Sequence, residues 1–293
     1  MSAPAGRIFE CVPNVSEGRD AAVLAACAAA LEGAGVTLAH RTSDPDHHRS
    51  VFTFFGSREA VLAAAVALAR VTTERIDLRR HRGAHPRIGA LDVLPFVPFG
   101  EASLDDAVAL AHEAARAIWE AAGVPSLFYG AAAADEKRRA LPDVRAGEFE
   151  GLVERSHRGG RPDVGDVLAH RSAGAIAVGA RRVLVAFNVV LAGGDLNLAR
   201  EIARTLRERN GGLRTLRALG IQLESGRVQV SCNLTDVAAT PLDRVVALVR
   251  ALAARRGASV ERSELIGLVP RAALEEVAAQ RLGIAPGALR GAG

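Results

Sequence analysis

The densest group of side chains able to do acid–base or anion-binding chemistry lies at residues 79–92. It carries four arginines, two histidines and an aspartate within fourteen residues, and Gly83, Pro86 and Gly89 disfavour a continuous helix. Several cations around a histidine lower its pKa, and a neutral imidazole can take a proton from one group and return it to another. The segment is therefore typical either of an acid/base histidine in an arginine-lined anion site or of a polar surface loop.

Two other polar segments, residues 12–19 and 43–50, lie in loops beside predicted strands, where functional residues are often found. His81 and His85 are four residues apart, the spacing of a zinc pair on a helix. The H-E-x-x-H motif requires glutamate where this chain has Arg82, a cation that repels a metal. A metal-dependent hydrolase stays an alternative, with the possible ligands His47, His48, His81 and His85 beside Asp44 and Asp46.

A fourth segment, residues 162–175, precedes the second half of the chain. Gly165 and Gly174 allow a flat ligand to approach the backbone closely, and His170, Arg171 and Ser172 offer hydrogen-bond donors. The alternative is a plain interdomain linker. A position where two units join is typical of a cofactor site.

The elements that would position these segments follow a βαββαβ order in the first half. Apolar runs predict strands over 7–12, 36–39, 50–55 and 92–97, and helical apolar spacing predicts helices over 21–32 and 58–76. A helix over 104–122 and a strand over 126–129 extend the pattern. Because residues 131–162 are rich in charge, Gly and Ala, we expect irregular structure there, with a short helix near 136–140.

The second half of the chain shows the same order of strands and helices. Strands are predicted over 183–190, 217–223, 227–234 and 264–269, and helices over 196–209, 241–256 and 271–280. Ser225 and Gly226 indicate a hairpin turn. Each pattern is typical of a ferredoxin-like sandwich, so we expect an α/β (α+β) chain of two βαββαβ subdomains, residues 1–181 and 182–293, with a cleft between them.

Composition excludes several classes of protein. With 293 residues, 49% of them hydrophobic and 24% charged, the chain has the make-up of a globular protein with one large or two small domains. The sequence has no apolar run long enough for a membrane span, no secretion-signal pattern at its start, and no C-x-x-C spacing among its three cysteines. We therefore expect a cytoplasmic protein with no membrane partner and with buried, reduced cysteines.

The charge balance permits an anionic ligand. The net charge is +4, and Lys137 is the only lysine among the 37 basic residues. The other basic residues are arginines, whose guanidinium groups can bind carboxylates and phosphates through two hydrogen bonds. A nucleic-acid-binding module is a further alternative, but aromatics are only 4% and the candidate strands lack base-stacking patterns, so we expect no nucleic-acid partner. The sequence also lacks the motifs of serine hydrolases, Walker-type ATPases and dinucleotide-binding folds.

Several co-ordered motifs run nearly from end to end of the chain. They are E-C-V-P-N-V-S-E-G at 10–18, V-F-T-F-F-G at 51–56, H-x-G-x-H-P-R-x-G-A-L-D-V at 81–93, L-P-x-x-R-A-G-E at 141–148, V-G-A-R at 178–181, A-F-N at 186–188 and L-I-G-L-V-P at 265–270. With these motifs the chain resembles the formiminotransferase domain family. The H-P-R-x-G-A-L-D core is a specific part of that resemblance.

The resemblance implies transfer of a formimino group from N-formimino-L-glutamate to N5 of tetrahydrofolate, a co-substrate, and we expect no metal. It implies two ferredoxin-like subdomains and, commonly, a homodimer. The family's catalytic histidine falls on His85. The family's folate-binding loop falls on Gly165, Asp166, Val167, Leu168, Ala169, His170, Arg171, Ser172, Ala173 and Gly174.

In that reaction the N5 amine loses a proton as it attacks the amidine carbon, and the glutamate nitrogen gains one as it leaves. One histidine can serve both steps. Because both substrates carry carboxylates, we expect arginine clamps. The candidate substrate-binding residues are Arg49, Arg87, His48 and Asp44. Asp44 or Asp92 is a candidate to orient His85.

The chain departs from the family pattern in places. Asp166 and Arg171 stand where relatives tend to carry proline, and His48 stands where an amide is common. The alternative function is therefore a folate-binding one-carbon protein that acts on another donor or has no turnover.

Overall fold

The computed structural model describes residues 6–45, 47–83, 86–223, 225–237, 239–266 and 269–282. Backbone contacts divide the chain into two compact units, Ser2–Arg181 and Arg182–Gly293, which we call the N-terminal unit and the C-terminal unit. Each has a sheet and a hydrophobic core of its own among the described residues.

The N-terminal unit is built on a mixed sheet of seven strands. Its elements are β1 (Arg7–Cys11), β2 (Asn14–Val15), α1 (Ala21–Gly33), β3 (Thr37–Asp44), β4 (Arg49–Gly56), α2 (Arg58–Arg75), β5 (Leu91–Gly100), α3 (Leu104–Ala122), β6 (Ser126–Gly130), a 3-10 turn (Glu136–Arg138), α4 (Leu141–Val144), α5 (Glu148–His157) and β7 (Ile176–Ala180). The order is β3-β4-β1-β5-β7-β6, with β2 also lying between β4 and β5. Only the pairs that β7 makes with β5 and β6 are parallel within this sheet as described.

The core of this unit forms because each element presents an apolar face to the sheet. The strand order β3-β4-β1-β5, with α1 and α2 as connections, is the ferredoxin-like order that the βαββαβ pattern predicted. Asp20 caps α1, and Ser103 forms a capping box with Asp106 at the start of α3. Phe52 and Phe54 of β4 are fully buried in the core beneath these helices.

The sequence prediction missed α4, α5 and β7 in this unit and shortened the strand β3. Residues 131–162 are not wholly irregular, since α4 and α5 lie there. α5 has no polar start signal, because its N-cap is Gly147, a glycine in a left-handed conformation. β7 is a run of small, fully buried residues without alternation, as a strand between parallel neighbours often is. The strand predicted over 36–39 extends to Asp44, because an exposed edge strand tolerates polar residues.

The C-terminal unit repeats the ferredoxin-like order with four antiparallel strands. Its elements are β8 (Val185–Ala192), α6 (Leu196–Leu206), a 3-10 turn (Glu208–Asn210), β9 (Leu216–Gln222), β10 (Val228–Leu234), α7 (Leu242–Ala254), β11 (Ser259–Ile266) and α8 (Arg271–Leu282), and the strand order is β11-β8-β10-β9. The last strand begins earlier than predicted, because exposed charged residues such as Glu261 and Arg262 hide the apolar pattern. The prediction of an α/β chain with two βαββαβ units is confirmed.

The part of the chain that the structure describes holds no helix both long and apolar enough to cross a bilayer. Cys11, Cys27 and Cys232 are free and buried, as predicted. Burial raises the pKa of Cys27 to about 11 and that of Cys232 to about 12, so both thiols stay protonated and inert.

Candidate active site

The structure brings the three polar segments of the first half together in the N-terminal unit. Gly83 lies so close to the β3–β4 turn that a β-carbon there would be 2.5 Å from the His47 carbonyl oxygen. Gly18 packs on the same hairpin, where a β-carbon would be 2.2 Å from the Asp44 carbonyl oxygen. Both close approaches require glycine, so residues 12–19, 43–50 and 79–92 form one cluster.

Glu17 and His48 are in hydrogen-bond contact at the centre of this cluster. Glu17 Oε1 accepts hydrogen bonds from three backbone N–H groups, those of residues 18–20, and lies 3.0 Å from His48 Nε2. Partial burial acts to raise the pKa of Glu17, but the backbone N–H groups and His48 lower it overall. His48 Nδ1 lies 2.9 Å from the Arg82 carbonyl oxygen. Contacts at both ring nitrogens therefore hold the His48 ring in place.

His81 is stacked on His48, with ring centroids 4.2 Å apart and the planes inclined by 8°. His81 Nε2 donates to the His48 carbonyl oxygen at 2.9 Å, and Arg87 Nε donates to His81 Nδ1 at 3.3 Å. Burial lowers the pKa of His81, and the nearby charges of His48 and Arg87 lower it further. His81 is therefore a neutral imidazole with its proton on Nε2.

Arg87 is buried and bound on its outer side by two carboxylates. Its guanidinium donates to Glu148 at 2.9 Å and to both oxygens of Glu150 at 2.8 Å. Hydrogen bonding to Glu150 raises the pKa of Arg87, so it carries a full charge. These residues line an open cavity of about 460 Å³ together with His81, Arg82, Gly83 and Gly147.

Asp92 and Asp44 hold the backbone around the cluster. Asp92 is buried, accepts from the Ile88 N–H at 2.8 Å with one oxygen, and forms an ion pair with Arg145 through the other. Asp44 accepts from the backbone N–H and the Nδ1 of His47. Ala84 and His85 lie outside the described residues, as does Asp46, so the role of His85 and its orientation by either aspartate stay predictions.

Arg49 is a partly exposed cation that lies near the ion pair of Asp92 and Arg145. Burial and the charge of Arg145 lower the pKa of Arg49 to about 10, against the opposing attraction of Asp92 and Asp44. The Nε atoms of Arg49 and Arg145 are both buried without a hydrogen-bond partner among the described residues.

The loop of residues 165–174 is fastened to the same cluster. Leu78 N–H donates to the Ser172 carbonyl oxygen at 2.8 Å, and Ala90 N–H donates to the Ala173 carbonyl oxygen at 2.9 Å. A β-carbon on Gly174 would lie 2.0 Å from the Ile88 carbonyl oxygen, so this junction accepts only glycine.

Within the loop, His170 closes a turn, and some side chains are exposed while others are buried. His170 Nδ1 accepts from the Ala173 N–H at 3.1 Å, which fits a neutral ring whose pKa burial lowers. Leu168 and Ala173 point into the core, whereas Asp166, Val167 and Arg171 are exposed. Trp119, the only tryptophan of the chain, contacts the loop at Gly165. A ligand on this loop would meet the backbone and the exposed side chains.

The metal-hydrolase alternative fits this arrangement poorly. No group of three or more His, Cys, Asp or Glu able to hold a metal occurs among the described residues. His48 and His81 use both ring nitrogens in hydrogen bonds to the protein, so neither presents a free lone pair.

Sequence reasoning missed four participants: Glu17, Arg145, Glu148 and Glu150. The signal was present for three of them, since Glu17 lies in the motif at 10–18, and Arg145 and Glu148 lie in the motif at 141–148. The partners of these three are 31, 53 and 61 residues away in sequence, respectively, which spacing alone does not reveal.

The two ferredoxin-like units and this cluster define a two-subdomain α/β protein whose N-terminal unit carries a polar site rich in arginine and histidine. Two family models match it, "Formiminotransferase domain, N-terminal subdomain" over residues 8–181 and "Formiminotransferase domain" over residues 186–282. The chain therefore belongs to the formiminotransferase domain family.

Curated relatives agree with this assignment. The chain is 39% identical to glutamate formimidoyltransferase of Streptococcus pyogenes serotype M1 over 93% of its own length and 92% of the relative's. It is 38% identical to glutamate formimidoyltransferase of Thermoplasma acidophilum, covering 92% and 91%. It is 39% identical to formimidoyltransferase-cyclodeaminase of Gallus gallus, of which it spans only 52%, about half the length.

Proposed function

We propose that this chain transfers the formimino group of N-formimino-L-glutamate to N5 of tetrahydrofolate and releases L-glutamate. The observation that carries the proposal is the 39% identity to glutamate formimidoyltransferase over nearly the full length of both chains. The site chemistry supports it, because the guanidinium groups of the buried Arg87 and the partly exposed Arg49 suit the carboxylates that both substrates carry.

His85 is the proposed acid/base in this reaction. The N5 amine attacks the amidine carbon and gives its proton to the imidazole; the imidazole returns that proton to the glutamate nitrogen as the carbon–nitrogen bond breaks. The hydrogen bonds of His81 and Arg82 to His48, and the close approach of Gly83 to the β3–β4 turn, support the proposal, because these contacts hold the residues just before His85. Proton transfer of this kind contributes roughly 10²–10⁴-fold to the rate.

Tetrahydrofolate is the proposed ligand of residues 165–174. The donor is proposed to bind near Arg49, His48 and Asp44, with Arg87 as a second clamp. The two carboxylates on Arg87 mean that a substrate carboxylate would share that guanidinium with Glu148 and Glu150. A cytoplasmic homodimer completes the proposal, and sedimentation equilibrium tests the dimer.

The test is a spectroscopic assay with formiminoglutamate and tetrahydrofolate on the wild type, on His85→Ala and on His157→Ala. His157 is an exposed histidine at the end of α5, so its variant controls for loss of an imidazole. We expect His85→Ala to lose at least about a hundredfold in transfer rate, because the proton shuttle is gone, while His157→Ala keeps the wild-type rate.

The outcomes separate the two candidate functions. Transfer retained by His85→Ala would remove His85 from the mechanism. If the wild type binds 5-formyltetrahydrofolate but transfers nothing, the chain is a folate-binding protein without this activity. Trp119 fluorescence reports that binding, because Trp119 contacts the loop at Gly165.

A further inference from the structure

We propose that Arg49 and Arg145 together form a binding site for one substrate carboxylate in the N-terminal unit. Arg49 begins β4 and Arg145 follows α4, so two separate elements supply the pair. The identity of the ligand as a substrate carboxylate rests on the proposed function. The existence of the site is inferred from the charges and hydrogen bonds around the two arginines.

Among the described residues, the charges around Arg49 do not balance. The charged groups that act on its guanidinium are Arg145, Asp92 and Asp44. Asp92 is already engaged by Arg145 and the Ile88 N–H, and Asp44 by His47. Two guanidinium groups whose Nε atoms are buried therefore share one buried carboxylate in the part of the chain that the structure describes, and an uncompensated charge that is largely buried is costly.

Hydrogen bonding is incomplete at the same place. The Nε atoms of both arginines are buried and make no hydrogen bond in the part of the chain that the structure describes. Buried donors in native proteins are nearly always paired, so two orphan donors on neighbouring cations indicate an absent acceptor. A carboxylate supplies both the negative charge and the acceptor oxygens.

The site can be reached from solvent. The Arg145 side chain is 14% exposed, and Arg49 is partly exposed. Gly147 and Glu148, just beyond Arg145, line the cavity of about 460 Å³ that also contacts His81 and Arg87. A carboxylate bound between Arg49 and Arg145 would therefore lie at the edge of the candidate active site.

The key experiment uses Arg49→Met in the full chain, with Arg70→Met as a matched control. Arg70 is exposed on α2, far in sequence from the site. Because Arg49 lacks a hydrogen bond at Nε and is repelled by Arg145, we expect Arg49→Met to leave the melting temperature of the free protein unchanged or higher. We expect the KM for formiminoglutamate to rise roughly 10–100-fold, the loss of charge-assisted hydrogen bonds, with a smaller change in kcat.

Arg145→Lys provides a second variant that keeps a cation for Asp92 but lacks the Nε donor. We expect the KM for formiminoglutamate to rise in this variant too. Because lysine still provides a cation for Asp92, we expect the variant to fold. The Arg70→Met control should bind and turn over like the wild type.

Direct binding identifies which carboxylate is held. L-Glutamate, pteroylglutamate and pteroic acid, which lacks the glutamate tail, are titrated into each variant. Loss confined to L-glutamate assigns the pair to the donor. Loss for pteroylglutamate but not for pteroic acid assigns it to the folate tail.

Unchanged binding of both carboxylate probes by Arg49→Met and Arg145→Lys would overturn the site. So would a melting temperature of the free Arg49→Met variant several degrees below that of the wild type, since that marks a structural arginine. These outcomes differ from failure of the proposed function, in which the wild type transfers no formimino group while the binding titrations still report on the pair.

Discussion

At the scale of single residues, hydrogen bonds hold the two stacked histidines in place. His48 lies between the Glu17 carboxylate and the Arg82 carbonyl oxygen, whereas His81 contacts the His48 carbonyl oxygen and accepts from Arg87. The backbone of His48 is strained, with a φ of 50°. Strain of this kind persists only where surrounding contacts enforce it, and the Glu17 carboxylate is one of those contacts.

Glu17→Gln tests that role through its pH dependence. The pKa of Glu17 is below its ordinary value of 4.5 in the folded protein. Its contribution to stability is therefore fully present above pH 4.5 and is lost as the pH falls through the lower folded-state value. We expect the variant to lose roughly 1–3 kcal/mol of unfolding free energy at pH 7, and we expect this difference to shrink below pH 4.5.

The measurement is urea unfolding followed by Trp119 fluorescence at pH 7, 5 and below 4. Glu74→Gln, which changes an exposed residue of α2, is the control and should cost nothing measurable at any pH. If the stability difference between the wild type and Glu17→Gln stays constant down to the acid limit, the ionised Glu17 carboxylate does not have this stabilising role.

At the scale of elements, close backbone contacts assemble the site, and these contacts explain what the sequence could and could not predict. Helical and alternating apolar patterns predicted α1, α2, α3 and the antiparallel strands, because those elements bury one face. The pattern failed for β7, which is buried on both faces, and for α5, which lacks a polar cap. The long-range junctions at Gly83 and Gly174 depend on tertiary approach, which no local pattern records.

Gly174→Ala tests whether the loop at 165–174 needs its junction to residues 88–90. Gly174 has a φ of 70°, and a β-carbon there would lie 2.0 Å from the Ile88 carbonyl oxygen. We expect the variant to push the loop off its neighbours and to weaken binding of 5-formyltetrahydrofolate at least about tenfold, measured by Trp119 fluorescence.

Gly159→Ala is the matched control, because Gly159 has a φ of 82° but nothing within 4 Å of an added β-carbon. That variant carries only the conformational cost of about 1–2 kcal/mol and should bind folate normally. Equal folate affinity in the two variants would show that the junction does not shape the loop.

At the scale of the whole molecule, the same order of strands and helices occurs twice and forms two ferredoxin-like units. The βαββαβ order could be predicted in both halves, because strand and helix patterns alternate in the same sequence in each. The added strands β6 and β7 could be placed in the sheet only from the structure. Among the described residues, the buried core clusters of the first unit lie within residues 9–180 and that of the second within 185–258.

Separate cores predict separate unfolding transitions. Val230 of β10 and Val178 of β7 are both fully buried, one in each unit, so each valine-to-alanine change removes two methyl groups from one core at a cost of about 2 kcal/mol.

Trp119 reports on the N-terminal unit alone, whereas far-UV circular dichroism also records α6, α7 and α8. We expect Val230→Ala to lower the midpoint of a circular dichroism phase without moving the fluorescence midpoint. Val178→Ala should move the fluorescence midpoint instead. If both probes shift together in both variants, the chain unfolds as one cooperative body despite its divided cores.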